Sequence, residues 1–516
     1  MKKILTEKTF CYIFNFICIL LFFVLFQRCL SMTGENIGPP WDEHIFFRSD
    51  SILCNSVLIF LALISLSFVG KILEKLMRKN RNILLCAACV VSAVLGVYWV
   101  WAGKIQPDWD QLAICHYADA FNRGDFEGLM KGNYLARYPQ QIGMVTLLRG
   151  IFKIFGETEY QAFQYLSALL VPLLVLSGCN ILRILSDNNI KAEIYYLFFA
   201  VMCFPMYAYT TFVYGDLISS IVGMFSVWMY LSSLKRFTWW KGVAFGLSIG
   251  VAVCLRKNLL ILAIALIIVM VIKLIFQYNR KNLVLLAALI LGWGGIQMAV
   301  WGIYANVKDA DARAIPGLLF IVMGLNDDYE FAGWNNDYEY AVFSELNDDV
   351  ELAKERAYEN LHMYLEIYKK APGYMVDFFV RKMNAQWNAP MYQSLAMNGR
   401  VRDQQLPVVR EIFAGGRLTN CIEMGMKIFQ LLMYGGILYL VVCQRKRFVH
   451  IETYVLLIAV FGGFLFSLMW EAKTRYVLPY LFMQIPYMAM GVGEIIGFVE
   501  KRIWKTKDKT LNCAEL

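Results

Sequence analysis

The sequence predicts an all-α integral membrane protein of about twelve transmembrane helices, with interfacial juxtamembrane helices and a small helical extracytoplasmic region. Three observations lead there. Of 516 residues, 59% are apolar and only 17% charged, with mean hydropathy +0.50. That leaves too little polar surface for a water-soluble chain of this length. The apolar residues gather in runs close to the roughly 20 residues that a helix needs to cross the hydrocarbon. The Lys and Arg residues gather in short clusters between those runs, which is a sidedness signal. The net charge of +9 therefore reports topology and not nucleic-acid binding.

The first run, 10–30, follows "MKKILTEKTF", a basic start like that of a signal peptide. It has no small-residue cleavage site, so it reads as a retained first span. Runs 51–73, 83–102, 161–184, 191–209, 212–233, 239–255, 257–276, 282–304, 419–443, 451–470 and 476–498 follow. Basic clusters place 71–81, 235–241, 280–281, 444–447 and 500–509 in the cytoplasm. Counting spans from either side puts all of 103–160 outside. Parity then leaves no room for the further apolar run 138–156 to cross. With Arg149 and Lys153 on it, that run reads as an amphipathic helix in the interface. Both termini fall in the cytoplasm, as expected of a multi-pass protein of the cell membrane.

The expected organisation has four parts. Residues 1–82 carry two spans and a basic loop, and 83–304 form a membrane core with a first outer loop, 103–160. Residues 305–418 form an extracytoplasmic region, and 419–516 hold three spans and a basic tail. Loops this long usually carry function. Within 305–418, "DDVELAKERAYENLHMYLEIYKKA" (348–371) and "GYMVDFFVRKMNAQWNAP" (373–390) read as helices of a small lid, the first capped by "ND". Most of the 13 cysteines lie in apolar runs, so they read as small core residues. No internal repeat or low-complexity tract is evident.

The chemistry concentrates on the outer side. An outward span leads into "QPDWD", then the helix "QLAICHYADAF", then "YLARYPQQIGMVTLLRGIFKIFG" (134–156). "TTFVYGD" (210–216), "CLRKNLL" (254–260), "FIVMGLN", "AGWNND" and "WEAKTRYVLPY" (470–480) follow in order. This series resembles the GT-C glycosyltransferases that use polyprenyl-phosphate sugars, such as protein O-mannosyltransferases and the aminoarabinose transferase of lipid A. The resemblance covers most of the chain after residue 83. That family's core usually starts with the span before the acid, here 83–102, whereas two further spans, 10–30 and 51–73, precede that span.

The resemblance implies a catalytic carboxylate at Asp108 or Asp110, and a polar first-loop position at Arg137, Tyr138 and Pro139. It also implies outer-side contacts at Asp216, Arg256, Lys257, Glu471 and Arg475. The donor would be a polyprenyl-phosphate-linked sugar held beside membrane lipid. Neither a cofactor nor a nucleic-acid partner is implied.

The residues support this on their own chemistry. A lipid phosphate leaves without a general acid, but the acceptor hydroxyl or amine needs a base or an orienting group. Cations hold the charge that develops on the departing phosphate. Asp110 opens a helix whose Ile114, Tyr117, Ala118 and Phe121 share a face that can dock on the membrane. There the helix dipole favours an ionised carboxylate, although an N-cap aspartate explains the same position. Arg256 and Lys257 are outward cations against the positive-inside bias. They fit a lipid phosphate, or simple snorkelling to headgroups. Arg475 and Glu471 read as phosphate and substrate contacts, or as an i,i+4 ion pair. Asp216 fits a structural partner of these cations as well as it fits substrate. His116 reads as a helix-surface residue, and no His/Cys/carboxylate group has metal-ligand spacing. The acids of 326–351 lack a calcium-loop pattern, and Trp334, Tyr338 and Tyr340 among them suit sugar contact.

A transporter or flippase of lipid-linked saccharides is the alternative. Transporters tend to show internal repeats and charges at the bilayer midplane. Here the ionisable residues sit at span ends.

Overall fold

The computed structural model describes residues 6–39, 41–156, 159–328, 331–398, 405–443 and 449–512. Helices α1 (Glu7–Ser31), α2 (Ile52–Lys79) and α3 (Arg81–Gly103) come first. A two-stranded antiparallel hairpin, β1 (Met32–Glu35) and β2 (Phe46–Ser49), joins α1 to α2, with Met32 opposite Ser49. After α3 come α4 (Trp109–Asn122), the single turn α5 (Tyr134–Arg137) and α6 (Ile142–Phe155). The bundle continues with α7 (Tyr160–Leu185), α8 (Ile190–Met202), α9 (Phe204–Ala208), α10 (Gly215–Lys235), α11 (Trp239–Leu255), α12 (Leu260–Phe276) and α13 (Arg280–Tyr304). Next are α14 (Gly317–Gly324), α15 (Tyr338–Glu345), α16 (Val350–Lys370), α17 (Pro372–Trp387) and α18 (Pro407–Phe413). Helices α19 (Arg417–Cys443), α20 (Val455–Met469) and α21 (Leu478–Asn512) close the chain.

Ten helices among the described residues are long and apolar enough to cross a membrane. The other two of the expected twelve are shorter. The run 239–255 forms the 17-residue α11. The run 191–209 breaks after the 13-residue α8, because Pro205 stands at the start of α9. Proline lacks the N–H that would continue the helix, and Cys203, between α8 and α9, has left helical geometry with ψ 86°. Helices α10 and α21 are the most buried of the long helices, while α2 and α13 show most of their surface to the surroundings.

Helix α6 has 14 residues, about 21 Å of helix, which is too short to cross. Its Met144, Val145, Leu148 and Phe152 are buried. On α4, Ile114, Ala118 and Phe121 are buried as the periodicity predicts, with Tyr117 half-buried. That face meets protein and not lipid. It packs on α6, and Phe121 lies 5.2 Å from the Tyr304 ring.

The two long segments meet at one end of the bundle. Lys131 N–H donates to Asp309, Ile315 N–H to the Arg137 carbonyl, and Leu406 N–H to the Ala102 carbonyl. The hairpin lies at the same end: Gly34 N–H donates to the Asn388 carbonyl, and His44 stacks between Phe331 and Trp334. The 305–418 segment has small apolar cores of its own, one around Leu319, Val322 and Phe343, another around Leu325, Tyr368 and Phe378. Helix α16 is capped by Asp349, whose side chain accepts from Glu351 and Leu352 N–H.

The basic clusters gather at the opposite end. Glu193 pairs with Arg81 and Arg183, and Glu500 with Lys71 and Lys191. Lys273 pairs with Glu452 and Glu7, beside His450. The cluster 444–447, and Tyr329 and Glu330 of the acidic stretch, lie outside the described residues.

Candidate active site

The site is assembled at the α4 end by four chain segments that are distant in sequence. The first is the turn into α4. Asp108 is the N-cap, and its side chain accepts from Trp109 N–H at 2.9 Å. Asp110 therefore does not cap the helix and lies in its first turn. Between them Trp109 has φ +45° and is 76% exposed. A bulky residue held in the left-handed region is strained, and such strain gathers at functional sites. Gln111 anchors the turn. Its Oε1 accepts from Val213 N–H at 2.7 Å, and its Nε2 donates to the Met397 carbonyl at 3.2 Å.

The second and third segments meet at Arg256, just past the end of α11. Its Nε lies 3.2 Å from Oδ1 of the fully buried Asp216, at the start of α10. Close backbone approach makes this meeting possible. A Cβ on Gly215 would come within 2.2 Å of the Leu255 carbonyl oxygen, and one on Gly143 within 2.1 Å of that of Cys254. Only glycine fits at either position.

The fourth segment, 470–477, supplies Arg475. Its Nη2 lies 3.5 Å from Asp110 Oδ2. The expected i,i+4 pair with Glu471 does not form, because 471–473 are not helical and the first turn there begins at Thr474. Instead Glu471 accepts from Tyr476 Oη at 2.6 Å and pairs with Lys473 at 3.4 Å.

Arg256 and Arg475 share two aromatic faces. Arg256 lies 4.9 Å from the Tyr214 ring centre and 5.3 Å from that of Tyr476. Arg475 lies 5.5 Å and 5.3 Å from the same two rings, and 5.8 Å from Phe212. Cation–π contacts of this kind offset part of the repulsion between two buried guanidinium groups. The Tyr214 hydroxyl accepts from Gln141. Each guanidinium offers five N–H donors. Arg475 Nε has no hydrogen-bond partner among the described residues, and Arg256 Nε makes its ion pair at an angle poor for a hydrogen bond.

The other sequence-predicted residues lie elsewhere. Arg137 is buried against the 305–418 segment. Its Nε and Nη2 donate to Asp348 at 3.0 and 2.6 Å, and its Nη1 donates to Ser344 at 2.8 Å. The Tyr340 ring lies 4.8 Å from its guanidinium. Tyr138 donates to Glu339 at 3.4 Å. "ARYP" thus fastens the 305–418 segment to the first loop. Lys257 is exposed and pairs with no acid among the described residues. Trp334 packs on His44 and Lys473, while Tyr338 accepts from Asn360. His116 packs edge-on against Tyr117.

Sequence reasoning missed Tyr214, Tyr476, Glu339 and Lys382. The first two adjoin Asp216 and Arg475, and an aromatic beside a charge at a helix start was their only signal. Burial raises the Glu339 carboxyl to about 7, with Glu471 and Asp337 adding negative charge nearby. Burial lowers the Lys382 amine to about 7, against the attraction of Glu471. Lys382 donates to the Gly324 carbonyl.

Metal-ligand spacing occurs once among the described residues, at Glu7, His450 and Glu452 at the opposite end. The Lys273 ammonium, 2.8 Å from Glu452, already stands among those acids.

No curated protein matches the chain. Among solved structures it is similar to the archaeal oligosaccharyltransferase AglB from Archaeoglobus fulgidus, solved with an inhibitory peptide and a dolichol-phosphate. The identity is 13% and the TM-score 0.43, over 84% of this chain and 52% of that one. The chain thus spans about half the length of that enzyme. Residues 3–492 match the family described as "Conserved hypothetical integral membrane protein", and the chain belongs to that family.

Proposed function

We propose that the protein is a membrane glycosyltransferase of the GT-C type. It moves a sugar from a polyprenyl-phosphate donor to an acceptor on the outer face of the cytoplasmic membrane. One observation carries this reading: Arg256 and Arg475, brought together over Tyr214 and Tyr476, stand beside the Asp110 carboxylate. Two guanidiniums with unfilled N–H groups suit a phosphate, which accepts charge-assisted bonds from both. In the reaction the acceptor oxygen attacks the anomeric carbon, and the carbon–phosphate oxygen bond breaks. The electron pair leaves on the phosphate, where the two arginines stabilise it. Asp110 orients the acceptor. Lys257, exposed at the start of the next helix, meets lipid phosphate as the donor enters. The 305–418 segment is the lid, fastened through Arg137–Asp348.

The test is purified protein in nanodiscs with a panel of polyprenyl-phosphate sugars and acceptors. Polyprenyl phosphate should be released from one donor and not by Asp110→Asn. A carrier of lipid-linked saccharides would bind the donor and leave it intact in every mixture, and that result would replace the enzyme reading.

A further inference from the structure

Glu339 is a lid residue in the first turn of α15, and only 5% exposed. Its Oε1 accepts from Tyr138, and its Oε2 is buried with no hydrogen-bond partner among the described residues. A buried polar atom without a partner is costly, about 1–3 kcal/mol, so its retention asks for a reason. Two routes connect it to the paired arginines. On one side, the Tyr138 ring lies 5.1 Å from that of Tyr134, and the charge of Asp110 reaches both hydroxyls. Tyr138 stands within the fields of both Glu339 and Asp110. On the other side, Glu339 feels the charge of Glu471, which accepts a hydrogen bond from Tyr476, the ring both arginines share. The lid carboxyl is therefore linked through Tyr138, and through the charge of Glu471, to the groups that surround the two arginines.

We propose that Glu339 is the proton acceptor for an attacking hydroxyl, so that the lid supplies the base and the bundle supplies the phosphate site. This rests on the glycosyltransferase reading above. As the acceptor oxygen bonds to the anomeric carbon, its proton passes to the Glu339 carboxylate. The phosphate leaves between Arg256 and Arg475 with the electron pair. Asp110 already shares its charge with Arg475 and is left to orient the hydroxyl.

The groups that face Glu339 are Tyr138 from the first loop, Asp337 from its own turn and Glu471 from the 470–477 segment. Lys473 and Lys382 lie beyond, close to Glu471. The acids and burial keep the carboxyl neutral below about pH 7 and ionised above it. A base with that property gives a rate that rises with pH through about 7, and a positioned base typically contributes about 10²–10⁴-fold.

Glu339→Gln keeps the size and the acceptor for Tyr138 and removes only the basicity. Turnover should fall by about 100-fold or more, the pH limb near neutrality should vanish, and donor affinity should stay within about twofold. Glu339→Asp should retain part of the turnover with a displaced limb, and it serves if the Gln variant does not fold. Wild-type turnover matched by Glu339→Gln, or an unmoved limb in Glu339→Asp, overturns the assignment alone. No wild-type turnover of any donor at any pH overturns the glycosyltransferase reading and this assignment with it.

Discussion

Replacing Arg475 by glutamine tests the phosphate site with little risk to the fold. Arg475 holds no other buried charge. Its carboxylate partner Asp110 is 46% exposed, so water takes over when the guanidinium goes, and the loss is that of a partly screened pair. The contacts to the Phe212, Tyr214 and Tyr476 rings are lost too, about 0.5–2 kcal/mol in all for such sites. Against this stands the bond to donor phosphate. A charge-assisted hydrogen bond contributes about 1.5–3 kcal/mol, which corresponds to a donor affinity weaker by about 10- to 100-fold. Arg475→Lys keeps the charge but not the planar fork, so it should fall between the two.

Arg256 makes the contrast. Its partner Asp216 is fully buried. Arg256→Gln would leave that carboxylate uncompensated, and breaking one side of a buried pair costs about 3–5 kcal/mol. The same position therefore reports stability before it reports binding. The pair Arg256→Gln/Asp216→Asn removes both charges and should recover much of the fold without recovering the donor. The assay is labelled polyprenyl phosphate bound to protein in nanodiscs, with thermal unfolding measured on the same preparations. Arg475→Gln that binds the lipid phosphate as tightly as wild type would refute the reasoning.

Further outcomes follow from the same geometry. Arg137→Ala strands the buried Asp348 and should loosen the lid, read as faster proteolysis between 305 and 418, by about the 3–5 kcal/mol of a broken buried pair; Arg137→Ala/Asp348→Asn should recover most of it. For topology, a cysteine at the exposed Glu351 should label from outside the cell and one at Arg78 should not, and the reverse pattern would invert the orientation. Asp110→Asn should lower transfer by at least about 100-fold while tightening donor binding; Asp108→Asn, still a good N-cap, should change neither much.

The spans were legible because their signal is local. A run of about twenty apolar residues needs no knowledge of its neighbours to read as a helix in a membrane. The break at Pro205 was legible in principle and was overridden by the hydropathy of the run around it. The hairpin at 32–49 was not read at all, since short strands in a connector carry little periodicity. At the site, residue type and sidedness pointed to Asp110, Asp216, Arg256 and Arg475. Which cation meets which acid was beyond the sequence. Glu471 and Arg475 have helical spacing, yet 471–473 are not helical, and Arg475 pairs with Asp110 instead. Arg137 had the right type beside the right proline, and the structure gives its charge to Asp348. Glu339 could not be singled out, because its burial and its orphan oxygen exist only once the lid has folded.

The charges around the site explain why Asp110→Asn should bind donor more tightly. Arg256 and Arg475 are matched one to one by Asp216 and Asp110, so these four groups are together formally neutral. A phosphate gains there only by displacing one carboxylate or by filling vacant N–H groups. The two pairs are unequal. Asp216 is fully buried at 3.2 Å and cannot leave without an uncompensated charge. Asp110 is half exposed at 3.5 Å, longer than a hydrogen bond, and can turn to water. On the proposed function, donor phosphate would compete with Asp110 for Arg475, and removing that carboxylate would remove the competitor. On that proposal the same displacement would free Asp110 to orient the acceptor as the donor arrives. A donor affinity of Asp110→Asn equal to or weaker than wild type would mean that Asp110 and the phosphate do not compete, and that the carboxylate serves the acceptor from its resting place on Arg475.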